Sequence, residues 1–380
     1  MFPKVLTQSL AMVVIQWLII KFVLVNTGIE GMGRYFFYLS LLSPVFMFLT
    51  GHFKNYATQN VYGDWYRLVN VRLLQISIIA VLSVFGFFYF SSLIFVLVVV
   101  TKLFEVGVDT KLAEETRKGK VTLTFKTIML TLLFVVAAFF VLSELNLIIV
   151  WFSIMFCILV LSVLVPNLKN ISLVDVKSKS AFVLIIKSVG LQSAVVALIA
   201  AVPRFTVEHF VSVEALAVFG AMNYFSLIAH VITMSLFQSR IRGIDNSFCM
   251  TRTKQSLLIL LLIGLFGVAV SLFAHEHLVN IIFNKSLVEY SHWLPWFLGF
   301  IVIWSWVSYL EQTVILTGGS GFLVKLNTML LISVLIVCPL LVIQFSFIGV
   351  VTYMYCLNTV KLLLLWLYLL KVNGRGQLAV

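Results

Sequence analysis

The sequence predicts an all-α integral membrane protein, and three observations lead to this fold class. Of the 380 residues, 62% are hydrophobic and only 11% are charged, whereas soluble domains contain about 45–50% apolar and about 25% charged residues. Apolar runs such as 257–274 and 347–370 approach or exceed the roughly 20 residues that cross a bilayer as a helix. The polar stretches between these runs are short. We therefore expect a chain made almost entirely of transmembrane helix, with no soluble domain.

Twelve apolar runs, separated by polar breaks, are long enough to be predicted as membrane-spanning helices. Their approximate limits are 5–26, 34–51, 73–91, 93–113, 123–143, 146–166, 181–203, 215–238, 255–274, 292–316, 326–345 and 347–370. The first run lies close to Met1, but it is too long for the apolar core of a signal peptide and lacks a small-residue cleavage site. We therefore expect an uncleaved first span.

The connections between the predicted helices are short. Very short connections at Ser91–Ser92, Glu144–Leu145 and Ser346 predict tight helical hairpins. The longest loops are expected over 52–72, 167–180, 239–254 and 275–291. None of these loops could hold a catalytic domain.

The basic residues predict the orientation of the chain. With the N-terminus inside, 20 of the 26 Lys and Arg residues fall in cytoplasmic segments, including Arg72 in the loop 52–72. Only Lys21, Arg34, Arg204 and Lys285 fall on the outer side. This asymmetry follows the positive-inside rule and places both termini in the cytoplasm. The net charge of +12 is therefore explained by topology, and we expect no nucleic-acid partner.

Two segments 184 residues apart suggest an internal repeat. Residues 27–36 and 211–220 align with Glu30 on Glu214, small residues on small residues, and Tyr35 on Phe219. Both segments link the first and second helix of a six-helix half. We therefore predict two six-helix lobes, 1–180 and 181–380, related by a pseudo-two-fold axis along the membrane normal. The cavity between such lobes is the natural substrate site.

Two motifs resemble a known family. The stretch Pro203-Arg204-Phe205, Glu208 and the run Glu214-Ala215-Leu216-Ala217-Val218-Phe219 resemble a segment common in Wzx-type polysaccharide flippases, which handle O-antigen or capsule repeat units. The segment Gly28-Ile29-Glu30-Gly31-Met32-Gly33-Arg34-Tyr35 resembles the first external loop of the same family. The family lies in the multidrug/oligosaccharidyl-lipid/polysaccharide (MOP) exporter superfamily.

The resemblance covers the whole chain through its twelve-span plan, but the specific motifs cover only a small part of it. Ser212 and Ala217 stand where the family has glycines, and 380 residues is short for the family. These departures put the detail of the loops in doubt more than the class of protein.

The resemblance implies a function. Such proteins move undecaprenyl-pyrophosphate-linked oligosaccharide from the cytoplasmic to the outer leaflet of the bacterial inner membrane, by ion-coupled alternating access. The implied partners are the lipid-linked oligosaccharide, membrane lipids and a coupling proton or sodium ion. An O-antigen polymerase and a chain-length regulator are further partners that this function would bring.

Four basic residues in or near the spans are candidate substrate-binding residues, because an arginine fork or a lysine ammonium can contact a pyrophosphate or an acidic sugar. They are Lys21, Arg34, Arg204 and Lys361. Each has an alternative: Lys21 could snorkel to the surface, Arg34 could lie at the interface, and Arg204 could anchor the helix end by pairing with Glu208. Lys361, deep in the last span, could equally face inward or not.

Three acidic residues are candidate ion-coupling residues: Glu105, Asp109 and Glu311. Lys102, Glu105 and Asp109 are spaced by three and four residues and so share one helix face. The alternative is a self-neutralising pair of Lys102 with Glu105, with Asp109 near the cytoplasmic surface. Glu311, near a cytoplasmic helix end, could simply be solvated.

Other classes of function make different demands on the sequence. A drug or metabolite cation antiporter of the same superfamily would need an acidic cavity. An O-antigen polymerase or a polyprenyl glycosyltransferase would need a long external loop or an acidic catalytic motif. No P-loop, Walker lysine or serine–histidine–acid set is present, and His275 with His277 lacks a clear set of further metal ligands. We expect a transporter rather than an enzyme, without cofactor or metal.

Overall fold

The computed structural model describes residues 2–50, 65–118, 122–142, 144–166, 190–241 and 250–377. All regular secondary structure in these residues is helical. Its α-helices are α1 Phe2–Thr50, α2 Trp65–Phe90, α3 Leu93–Arg117, α4 Leu123–Ala137, α5 Leu145–Leu164, α6 Leu191–Phe210, α7 Val213–Ile241, α8 Met250–Ile282, α9 Leu294–Leu316 and α10 Ser320–Gln377. A π-helical turn, Ala138–Leu142, continues α4, and a 3₁₀ helix, Lys285–Trp293, precedes α9.

Helix α10 is broken at Ser346, where the backbone has φ 53° and ψ −134°. The rings of Phe322 and Tyr368, on opposite sides of this break, stack with centroids 4.5 Å apart. A straight helix would separate these residues by roughly 70 Å. Gly349 also packs against the backbone carbonyl of Leu341. Helix α10 therefore folds back on itself, which confirms the hairpin predicted at Ser346.

The other two predicted hairpin connections also interrupt the helices. Ser91 has a positive φ of 46° between α2 and α3. Glu144 is extended, with φ −110° and ψ 120°, immediately before α5. In each case one or two polar residues inside a long apolar stretch mark the interruption.

Nine helices in the described residues are long and apolar enough to cross a membrane. Two of these candidate spans, Thr7–Thr50 with 44 residues and Ser320–Val372 with 53 residues, are each more than twice the length of about 20 residues that one crossing needs. Helix α3, which carries several charges, is not among the nine. The chain is thus a multi-pass membrane protein, while the count of twelve spans and the placing of both termini in the cytoplasm stay predictions.

The chain divides into two compact units, Met1–Ala201 and Val202–Val380. The division falls inside α6, beyond the boundary expected at residue 180. In the first unit, α3 packs most extensively on α5 and also on α1, and α1 packs on α4. In the second unit, α9 packs against α7, α8 and α10. The six-helix lobes and their symmetry axis stay predictions.

Two predicted boundaries were wrong, because polar residues were taken to end helices. Helix α6 continues through Pro203 to Phe210 rather than ending at 203. The region 275–291 was expected as a loop, yet α8 continues past a distortion at Ala274 to Ile282 and the 3₁₀ helix follows. Polar side chains are compatible with a helix whose backbone groups remain hydrogen-bonded. Most of the loop expected over 52–72, all of that over 167–180, the middle of that over 239–254 and the first part of the span expected over 181–203 lie outside the described residues.

The two segments aligned as a repeat both contain a helix break. Gly28 interrupts α1 with φ 72° and ψ −171°, a conformation that is essentially restricted to glycine. Ser212, which aligns with Gly28, is the non-helical residue between α6 and α7, and its hydroxyl accepts a hydrogen bond of 3.0 Å from the backbone N–H of Ala215. The aligned positions therefore interrupt the helical structure in each unit, by glycine in one case and by a serine cap in the other.

Candidate functional site

Glu105 lies on α3 with both carboxylate oxygens hydrogen-bonded. Oε1 accepts from Nε2 of Gln16 on α1 at 2.7 Å, and Oε2 accepts from Nζ of Lys102 at 2.7 Å. The Lys102–Glu105 pair weighed as an alternative is therefore present. A quarter of the Glu105 side chain remains exposed (25%), so this pair is only partly buried.

Asp109 lies one turn further along α3, and its surroundings differ from those of Glu105. Its side chain is exposed, and it interacts electrostatically with Arg72 on α2. Although Lys102, Glu105 and Asp109 share a helix face, only the first two pair with each other. The shared face predicted from the spacing thus contains two separate electrostatic environments.

Arg72 was expected in a cytoplasmic loop, and this prediction was wrong. Arg72 is inside α2 and is almost completely buried, with 2% of its surface exposed. Its guanidinium donates hydrogen bonds to Thr110 Oγ1 at 2.7 Å, to Gln75 Oε1 at 3.1 Å and to the carbonyl of Val106 at 3.3 Å. These partners replace water and make burial of the charge possible. Its position directly before the apolar run 73–91 was the available sequence signal.

A small cavity of about 10 Å³ adjoins Arg72. Thr110 lines it on α3, and Val160 and Val163 line it on α5. This volume accommodates about one water molecule. The cavity is far too small for a lipid headgroup, so Arg72 here has the role of joining α2 to α3.

Lys21 and Arg34 lie on opposite sides of the Gly28 break. The Lys21 ammonium lies over the rings of Trp17 and Phe139, 5.2 Å and 5.8 Å from their centroids. Such cation–π contacts stabilise an ammonium within an apolar environment. Arg34 pairs with Glu30 at 2.6 Å, and both side chains are more than half exposed.

Arg204 lies inside α6, one residue after Pro203, and not at the helix end where the sequence placed it. Its side chain is partly buried. The continuation of α6 for more than a turn beyond Arg204 places the guanidinium within the helix rather than at its terminus. The Pro-Arg-aromatic motif is therefore a helical motif in this chain.

Lys361 and Glu311 form an ion pair that the sequence did not predict. Lys361 Nζ lies 2.7 Å from Glu311 Oε1, with 10% and 22% of the two side chains exposed. Lys361 is on the second arm of α10, and Glu311 is on α9. From the sequence, Lys361 is a candidate for substrate binding and Glu311 a candidate for ion coupling. No spacing rule connects residues this far apart, so only the packing of α9 on α10 could reveal the pair.

A further charged cluster at the end of α3 was also missed. The buried carboxylate of Glu114 pairs with Lys111 at 2.6 Å and with Lys118 at 2.7 Å. The Lys111 ammonium also reaches the carbonyl of Ser162 on α5 at 3.3 Å. The spacings of three and four residues were the available signal. This cluster joins the end of α3 to α5.

The neighbouring Glu115 binds the start of the next helix. Its carboxylate accepts hydrogen bonds from the backbone N–H groups of Thr122, Leu123 and Thr124, at 3.2, 2.7 and 3.3 Å. The first N–H groups of a helix have no partner within the helix. Glu115 thus caps α4 from the preceding helix.

Comparison with known proteins identifies the fold. No protein-family model matches the sequence, and no curated protein matches it. Among solved structures, the chain is similar to a multidrug resistance MATE family transporter of the MOP superfamily in an inward-facing conformation, with a TM-score of 0.67 over 96% of both chains. The chain shares the fold of this transporter. The sequences are 11% identical, so the similarity establishes the fold alone.

Proposed function

We propose that this protein is a flippase for undecaprenyl-pyrophosphate-linked oligosaccharide, an O-antigen or capsule repeat unit, in the bacterial inner membrane. It works by ion-coupled alternating access. The MOP-transporter fold supports transport as the activity. The motifs that resemble Wzx-type flippases, around Gly28 and around Arg204 and Glu214, support a lipid-linked oligosaccharide as the cargo.

The observation that carries the choice of an anionic cargo is the pairing of two candidate ion-coupling glutamates, one in each unit. Glu105 is paired with Lys102 at 2.7 Å, and Glu311 is paired with Lys361 at 2.7 Å. An organic cation needs a carboxylate whose charge is available. Since a lysine compensates each of these carboxylates, the two pairs carry no net negative charge that would select a cationic drug over an anion.

The basic residues are proposed to bind the pyrophosphate and acidic sugars. Lys21 and Arg34 belong to the first unit, and Arg204 and Lys361 to the second. Lysine offers a compact charge, and arginine a planar fork that can hold phosphate oxygens in pairs. The Lys21 ammonium lies over two aromatic rings, and such cation–π contacts stabilise a positive charge in apolar surroundings.

The acidic residues are proposed to bind the coupling proton or sodium ion. Glu105 suits this role because its side chain is partly exposed. Its carboxylate accepts hydrogen bonds from Gln16 on α1 and from Lys102 on its own helix, α3. Asp109, which is exposed, and Glu311 are the other proposed sites. A change in the charge of Glu105 would alter the contact between α3 and the first arm of α1.

A drug or metabolite antiporter is the second candidate function. It is favoured by the structural similarity to a multidrug resistance transporter over 96% of both chains. In that case the cargo would be an organic cation that replaces Lys102 or Lys361 beside a glutamate. The same similarity to a transporter speaks against an O-antigen polymerase or a polyprenyl glycosyltransferase.

The test is deletion of the gene in its native host, followed by location of lipid-linked repeat units in the two leaflets. We expect single units to accumulate on the cytoplasmic leaflet, because synthesis continues while transfer stops. Accumulation on the outer leaflet would instead indicate a polymerase. Normal surface polysaccharide together with sensitivity to cationic drugs would indicate an antiporter.

Complementation of the deletion tests the basic residues. A gene carrying Lys21→Met and Arg204→Met should restore protein level but not surface polysaccharide, because both cations are removed. The matched control is Lys118→Met, which removes a largely exposed ammonium paired with Glu114, and it should complement fully. Full complementation by the double variant would refute the proposed roles of Lys21 and Arg204.

A further inference from the structure

The Lys361–Glu311 pair joins two helices of the second unit within the membrane-spanning part of the chain. The donor–acceptor distance is 2.7 Å, and the side chains are 10% and 22% exposed. Lys361 lies within the candidate span Ser320–Val372, and Glu311 lies within the candidate span Lys285–Ile315. Ionisable groups in such segments are costly unless they are paired, and they mark pathways for ions or substrates.

Both side chains are largely buried, so separating them without replacing either partner would leave two uncompensated charges. Removing one member of a buried pair leaves the other as an uncompensated charge, which is strongly unfavourable. Lys361 can therefore leave Glu311 only when an anion takes the place of the carboxylate. In the same way, Glu311 can be left only when a cation takes the place of the ammonium. Each replacement thus depends on the other.

We propose that Lys361 and Glu311 form an exchangeable ion pair, in which an anionic phosphate group binds Lys361 and a monovalent cation, a proton or sodium ion, simultaneously binds Glu311. The inference rests on the proposed function for the identity of the anion as a pyrophosphate. It adds that anion and cation load together at one place in the second unit. The ammonium stays protonated throughout, and the carboxylate changes partner from the ammonium to the cation.

This arrangement has a definite sign of coupling. Where substrate and cation compete for one group, each weakens the binding of the other. At the Lys361–Glu311 pair, each ligand frees the partner of the other, so each strengthens the binding of the other. Linkage requires this effect to be reciprocal and equal in free energy for the two ligands.

The surrounding charges are consistent with anion entry. Lys254 on α8 and Lys325 and Lys371 on α10 are exposed. These cations add positive charge to the helices that carry or adjoin the pair, and positive charge attracts an approaching phosphate.

The test measures binding of farnesyl pyrophosphate to the purified full-length protein in detergent. In the wild type, we expect tighter binding when sodium replaces choline at constant ionic strength, or when the pH is lowered, according to which cation is used. Glu311→Gln mimics the cation-loaded carboxylate. It should bind the probe about fivefold more tightly or better, the lower end of typical coupling, and should lose the cation dependence.

Lys361→Met should weaken binding of the probe by a comparable factor, whereas Lys118→Met is the control and should leave it unchanged. Unaltered affinity in Glu311→Gln, or an absence of sodium and pH dependence in the wild type, would overturn the inference in favour of a static structural pair. The wild-type measurement keeps the test valid if a variant does not fold. If this inference fails while deletion of the gene still traps lipid-linked units on the cytoplasmic leaflet, the proposed function stands without it.

Discussion

At the residue scale, the charged side chains within the helices are organised by their partners. Arg72 is buried with three hydrogen-bond acceptors, and Lys361 is buried with one carboxylate. Glu115 uses backbone N–H groups instead of a cation. In each case a group that would be too costly to bury alone is compensated within hydrogen-bond distance. These contacts fix how helices meet inside each unit.

The cap formed by Glu115 leads to a prediction on stability. Glu115→Ala removes a carboxylate that accepts from three N–H groups at the start of α4. Hydrogen bonds to charged groups contribute about 1.5–3 kcal/mol, and we expect the free energy of unfolding to fall by about that amount. Thermal or denaturant unfolding of the purified protein in detergent measures it.

Glu144→Ala is the matched control, since Glu144 stands at the N-cap of α5 without a side-chain capping bond. An exposed substitution of this kind changes stability by about 0.5 kcal/mol or less. If the two alanine variants unfold alike, Glu115 does not act as the cap of α4.

At the element scale, the breaks within long helices decide how the chain is arranged. Helix α1 is interrupted at Gly28, and α10 folds back at Ser346. The two arms of α10 are held together by the Phe322–Tyr368 stack and by the close approach of Gly349 to Leu341. Without these breaks, α1 and α10 would be rods far longer than a bilayer is thick.

Gly28→Ala is predicted to destabilise the protein. The φ of 72° and ψ of −171° lie in a region essentially closed to residues with a Cβ. No neighbouring atom would obstruct the methyl group, so the cost comes from the backbone alone and should be about 1–3 kcal/mol. The measurement is the unfolding free energy in detergent.

Gly267→Ala provides the control for this prediction, because Gly267 lies inside α8 with no atom within 4 Å of an added methyl group. Alanine is favoured over glycine in a helix interior by about 1 kcal/mol, so stability should hold or increase. Equal losses in the two variants would show that the conformation of Gly28 is not the cause.

At the scale of the whole molecule, the chain contains two compact units and shares the fold of a solved multidrug resistance transporter. The two segments aligned at an offset of 184 residues each contain a helix break, one in each unit. The positive-inside rule predicts an orientation with both termini in the cytoplasm. The fold and the orientation together predict which connections face the outside.

Cysteine labelling checks the predicted orientation. In a background without the native cysteines, Ser212→Cys and Ser346→Cys should react with a membrane-impermeant maleimide in intact spheroplasts, because both helix breaks are predicted on the outer side. Gly318→Cys, between α9 and α10, should react only after lysis. Labelling of Gly318→Cys in intact spheroplasts, or protection of both serine positions, would contradict the twelve-span arrangement.

The sequence alone determined that this protein is helical and membrane-embedded, and where several helices break. A bilayer leaves backbone groups no partner except each other, so long apolar runs must be helices. A polar residue such as Ser346 inside such a run therefore marks an interruption. The Lys102–Glu105 pair could also be predicted from the sequence, because the spacing of three residues along one helix places the two side chains side by side.

Only the tertiary structure decided which distant charges meet. Lys361 with Glu311, Gln16 with Glu105, and the burial of Arg72 all depend on which helix faces pack together. In a membrane protein the packed faces and the lipid-facing faces are both apolar, so hydropathy does not distinguish them. An ion pair requires a separation of about 3 Å, and that proximity is set by helix packing rather than by position along the chain.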